Sequence, residues 1–123
     1  MIWSVHMTSK AEHDLASAAD HIEFVLLNPD AADALFDEAE KKIGALSTFP
    51  EKHPPVDDPI LNAWGIRYTL VKNHLAFYVI AEKDHMVYVI RFLHQKRDWI
   101  RILKKEGENL PLDSVFTPQR DHR

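Results

Sequence analysis

GIRYTLVKNHLAFYVIAEKDHMVYVIRFL, residues 65–93, decides the fold of this chain. Three runs within it, Ile66 to Val71, His74 to Ala81 and Met86 to Leu93, are dense in valine, isoleucine, tyrosine, phenylalanine and leucine. Those side chains suit a pleated, largely buried surface. Lys72-Asn73 and Glu82-Lys83-Asp84-His85 part the runs. Connections that short join neighbouring antiparallel strands. The stretch therefore predicts a three-stranded antiparallel meander.

Upstream of it the period changes. Ile2 to Met7 is short and bulky and reads as one more strand. Ser9-Lys10-Ala11-Glu12 has the form of a capping box. Ala11, Leu15, Ala18, Ile22, Val25 and Leu26 follow at helical spacing. Asn28-Pro29 ends that helix and opens a second, with asparagine suited to the N-cap and proline to the first helical position. Ala32, Leu35, Phe36, Ala39, Ile43 and Leu46 form its apolar face, and Pro50 closes it. So short a link predicts an antiparallel helical hairpin. Glu51 to Ala63, with three prolines, reads as an irregular connection. Downstream of the meander, Asp98 to Lys105 predicts one or two helical turns that return Trp99, Ile102 and Leu103 to the core. The expected order is β-α-α-β-β-β, an α+β fold with a helical hairpin on one side of a twisted antiparallel sheet and a short C-terminal helix. Residues 1–105 are expected to form a single domain and 106–123 a polar tail.

With 123 residues, 46% of them hydrophobic, the chain has material for one core. It has no cysteine, which excludes a disulfide scaffold, a cysteine-type zinc finger and a thiol nucleophile. The longest uninterrupted apolar run, Leu75 to Ala81, is far shorter than the roughly 18–20 residues that span a bilayer. No signal peptide is read at the N-terminus, and a cytoplasmic protein without membrane contact is expected. Net charge is −4, but it is unevenly placed. Residues 1–64 hold twelve acids against four lysines, −8, whereas residues 65–105 hold nine bases against three acids, +6. A focused positive face can draw a polyanion to an acidic protein.

Three glycines, at 44, 65 and 107, cannot build a phosphate loop, and neither HExxH nor GxSxG occurs. Eight histidines are scattered, and the nearest helical pairing with a second ligand, His94 with Asp98, lacks a third, so no metal and no cofactor are expected. The concentrated signal is basic. Arg67 and Lys72 belong to the first meander strand and its turn, His74 opens the next strand, and Arg91, His94, Lys96 and Arg97 lie where the last strand ends. Arginine and lysine hold phosphate oxygens, and histidine exchanges a proton near neutrality. If His74 and His94 converge, the set suits phosphodiester chemistry. Arg67 and Arg91 equally suit ion pairs with acids of the hairpin, and Trp99 suits a core anchor.

Read in order, these residues carry a resemblance. Ala11-Glu12-His13-Asp14-Leu15, Asn28-Pro29-Asp30-Ala31-Ala32, Phe49-Pro50-Glu51, Gly65-Ile66-Arg67, Asn73 with Phe77-Tyr78, Arg91-Phe92-Leu93-His94 and Lys96-Arg97-Asp98-Trp99 resemble the motifs of the RelE/ParE superfamily. That superfamily comprises toxins of bacterial type II toxin–antitoxin systems. His74 stands where tyrosine is usual, Gln95 where glycine is common, and residues 100–123 run past the usual end. The resemblance implies a growth-arresting toxin with a cognate antitoxin as partner. Its leading implication is a metal-independent, ribosome-dependent mRNA endonuclease. In that activity His94 is the first acid–base candidate and His74 the second, Arg67 and Arg91 hold the phosphate, and Lys72, Lys96 and Arg97 grip the RNA backbone. The alternative it implies is inhibition of DNA gyrase by binding.

Overall fold

The computed structural model describes residues 2–109. Strand β1 (Ser4–Met7) leads into helix α1 (Ser9–Asp20), a π-helical turn (His21–Val25) and helix α2 (Pro29–Gly44). Then come a short α3 (Pro59–Ala63), the strands β2 (Arg67–Val71), β3 (His74–Ala81) and β4 (Met86–His94), and helix α4 (Trp99–Asn109). The meander is present as expected, in the sheet order β1-β4-β3-β2. β2–β3 and β3–β4 are antiparallel. β1 departs from the expected antiparallel sheet: it runs parallel to β4, Ser4 opposite Met86 through Met7 opposite Val89. The hairpin supplies the physical reason, because its two antiparallel helices, followed by the meander, return the chain to β1 in its starting direction.

Local chemistry sets the helix starts. The cap of α1 is Thr8, one residue before the expected Ser9; its hydroxyl accepts from the Ala11 N–H at 3.2 Å. Asn28 caps α2 as expected, accepting from the Ala31 N–H at 3.1 Å. The connection from 51 to 63 is more ordered than its prolines suggest. Pro50–Lys52 is a 3₁₀ turn, and Asp58 caps α3 by accepting from the N–H groups of Ile60 and Leu61. Asp58-Pro59 repeats the Asn28-Pro29 signal.

Both faces of the sheet are covered. The hairpin packs Ala11, Leu35, Ala39 and Ile43 against Tyr78, Val89 and Phe92. On the other face, Leu61 of α3 and Leu103 of α4 meet Leu75, Phe77 and Ile90. β3 therefore reads as a continuous apolar run because neither of its faces meets water. Helix α4 is longer than the two turns expected and takes in the first four residues of the expected tail; residues 110–123 lie outside the described residues. No helix among the described residues is long and apolar enough to cross a membrane.

One irregularity positions the site. The β3–β4 register steps from Phe77 opposite Arg91 to Tyr78 opposite Val89, so Ile90 is an extra residue in β4. The bulge lies just beyond the end of β1, where the edge of β4 is bare. α1 covers it: the Thr8 hydroxyl donates to the Ile90 carbonyl at 3.3 Å, and the Phe92 N–H donates to the Asp14 carboxylate at 3.0 Å.

Candidate functional site

A cleft of about 720 Å³ opens between the bend of the helical hairpin and the ends of β3 and β4. One wall is Ser17, Ala18, His21, Ile22 and Leu26 from α1 and the π-turn, with Asn28 and Ala31 from the start of α2. The other is Asn73, His74, Phe92, Leu93, His94 and Arg97. The walls are mainly apolar and the rim carries the polar groups.

His74 and His94 converge. They are register partners across the β3–β4 ladder, and their rings meet edge to face with centroids 5.1 Å apart. His74 also lies parallel on Phe92, 5.0 Å between centroids and 9° between planes. Its Nδ1 is buried and finds no hydrogen-bond partner among the described residues. Burial first, and the neighbouring His94 second, bring its pKa down from 6.5 to about 4. His74 is thus a neutral ring at physiological pH. The Lys96 N–H donates to His94 Nδ1 at 3.1 Å, which assigns the proton of neutral His94 to Nε2.

Arg91 is not presented to the cleft as a free cation. It is 9% exposed. Asp14 takes its Nε at 2.6 Å and its Nη2 at 3.0 Å, and Glu106 of α4 takes Nη1 at 2.9 Å. These carboxylates outweigh burial and raise its pKa. The guanidinium expected to hold a phosphate is therefore occupied by two carboxylates, which is the ion-pair reading with an added partner from α4. Arg67 lies elsewhere. It pairs with Tyr78 on β3, four ladder positions from His74 and so roughly 13 Å away along the strand. Its Nη1 donates to the His53 carbonyl at 2.5 Å.

Lys72, Lys96 and Arg97 are exposed in the two turns beside the cleft, and Arg97 reaches its rim. Lys72 holds a left-handed conformation, φ 57°, at the tip of the β2–β3 turn. The structure thus joins His74, His94 and Arg97, keeps Lys72 and Lys96 nearby, and separates Arg67 and Arg91 from them. Sequence reasoning missed Asp14 and Glu106 as the residues that bind Arg91, and His21, Asn28 and Asn73 as cleft residues. Asp14, Asn28 and Asn73 had a signal, since all three sit in the motifs quoted above. Among the described residues, no three histidine or carboxylate side chains are grouped to hold a metal.

Residues 5–99 match the family model of the ParE toxin of the type II toxin–antitoxin system parDE. The chain belongs to this ParE toxin family. Two solved structures share the fold. The chromosomal ParDE toxin–antitoxin system from P. aeruginosa aligns with a TM-score of 0.62 at 20% identity, covering 76% of this chain and 96% of that one. The toxin–antitoxin complex RelBE2 from Mycobacterium tuberculosis aligns with a TM-score of 0.52 at 22% identity, covering 76% and 92%. No curated protein matches the chain significantly. The ParE match begins inside β1 and ends at Trp99, so it contains the whole cleft and stops where α4 starts.

Proposed function

We propose that this ParE-family toxin arrests growth by docking on DNA gyrase, and that a cognate antitoxin silences it by covering the toxin in the cytoplasm. The observation that carries this reading is the capture of Arg91 by Asp14 and Glu106. A nuclease that lacks a metal must meet the developing phosphate charge with free cations; Arg91, the strand arginine expected to hold the phosphate, is neutralised, and exposed Arg97 is left at the rim beside the histidines. The mainly apolar walls of the cleft suit protein side chains better than a phosphodiester. The antitoxin is inferred from family membership, and the +6 segment favours an acidic wrapping peptide.

One observation favours the second reading, a ribosome-dependent mRNA endonuclease. His74 is a neutral ring in contact with His94, and Arg97 stands on the same rim. There the 2′-OH of the RNA would attack the adjacent phosphate, closing a 2′,3′-cyclic phosphate as the bond to the 5′-oxygen breaks, with His94 taking the proton of the 2′-OH and the leaving 5′-oxygen gaining one from solvent.

Induced expression separates the two. The gyrase reading expects cleaved or relaxed plasmid to accumulate while mRNA on arrested ribosomes stays intact, and expects His94→Ala to remain toxic. Cuts within codons in a translation extract, abolished by His94→Ala, would overturn it in favour of the nuclease.

A further inference from the structure

Phe24, Val25, Leu26 and Leu27 stand in solvent at the bend of the helical hairpin, with 67%, 64%, 59% and 79% of their surfaces exposed. Helical periodicity assigns Val25 and Leu26 to the buried face. The π-turn at His21–Val25 carries one residue too many for that face and turns the run outward. Leu27 then adopts φ 55°, a conformation that costs a non-glycine residue roughly 1 kcal/mol. Four adjacent exposed apolar side chains on a strained backbone are costly for an isolated protein and characteristic of a contact surface.

The bend and the cleft are continuous. Ile22 and Leu26 line the cleft, and exposed Val25 and Leu27 are the chain neighbours of Leu26. The exposed apolar bend and the apolar hollow therefore adjoin at Leu26. Such a surface is self-complementary, because a twofold axis sets each projection over the other copy's hollow. Charge agrees with this pairing. Asp20 and Asp30 flank the bend and are exposed, whereas Arg97, Lys72 and Lys96 stand at the opposite rim of the cleft. We propose that residues 24–27 dock into the cleft of a second copy of this chain, forming an isologous dimer that buries the His74–His94 rim. The proposal does not depend on whether gyrase or RNA is the target.

Sedimentation velocity on the full chain, from about 1 to about 200 µM, tests it. A monomer–dimer equilibrium is expected within that range. Phe24→Asp combined with Leu27→Asp should raise the dissociation constant at least about tenfold. Leu27→Asn, which tolerates the left-handed backbone, gives a second variant with the same direction and little risk to folding. Arg97→Glu should weaken the dimer more at low salt than at high salt. Phe49→Asp should leave it unchanged: Phe49 is also exposed but lies beyond the far end of α2, roughly 24 Å from the bend. A chain monomeric at every concentration, or a dimer indifferent to the bend variants, overturns the proposal. So does loss of antitoxin binding in those variants with self-association unchanged, which would make the bend an antitoxin surface.

Discussion

Asp14 grips Arg91 with both carboxylate oxygens, at 2.6 Å to Nε and 3.0 Å to Nη2, and with one of them also accepts from the Phe92 N–H at 3.0 Å. Three hydrogen bonds thus tie the middle of α1 to the bulged edge of β4. Glu106 adds α4 through Nη1, and Lys10 reaches Glu106 at 3.1 Å. One buried guanidinium fastens a strand and two helices. Removing one partner of such a pair leaves charge uncompensated in a poorly solvated place.

Asp14→Ala should therefore destabilise the fold by about 3 kcal/mol, the retained Glu106 limiting the loss. Urea denaturation measures it, and Glu12→Ala, an exposed acid on the same helix, should change stability by no more than about 0.5 kcal/mol.

His74 should make stability depend on pH. Its folded pKa of about 4 lies below the ordinary 6.5. Between those values the unfolded chain binds a proton that the folded chain refuses. The contribution is fully present above about pH 6.5 and is lost as pH falls toward 4. His74 is only half-buried, so solvent screening reduces the loss to about 1–2 kcal/mol. Urea midpoints at about pH 7.5, 5.5 and 4.5 should fall in that order, and His74→Phe should flatten the trend.

Gly107 lies under the indole of Trp64. A Cβ there would overlap ring carbons Cζ3 and Cη2, so Gly107→Ala must push α4 away from α3. A loss of about 1–3 kcal/mol is expected, with a lowered melting temperature and altered tryptophan emission.

Leu27 holds its left-handed φ of 55° at the place where glycine usually closes a helix. Leu27→Gly should relieve that strain and raise stability by about 0.5 kcal/mol, after allowance for the greater freedom of glycine in the unfolded chain. Chemical denaturation at low protein concentration reads it without interference from self-association.

The elements were largely legible because their signals are local. The Asn28-Pro29 cap, the apolar stripe of α2 and the three meander strands each arise from neighbours within about four residues. The helix of residues 9–26 shows where local reading fails. Val25 and Leu26 match helical periodicity, yet the π-turn shifts them into solvent. An extra backbone residue in a turn leaves no compositional mark. β3 carries the opposite lesson: its unbroken apolar run suits a strand covered on both faces, yet the expected fold has the hairpin on one side only and gives α4 just one or two turns, whereas α3 and α4 cover the second face.

The amino-acid sequence by itself determined the α+β class, the hairpin, the meander and the charged halves, since each follows from side-chain period, caps and composition. Only the tertiary structure decided what the charged and titratable groups became. His74 and His94 met because β3 and β4 pair in one register. Arg91 was lost to Asp14, 77 residues away, because a bulge left the edge of β4 bare where α1 crosses it. Contacts between groups so distant along the chain depend on register, bulge and helix placement together, and no local pattern encodes that combination.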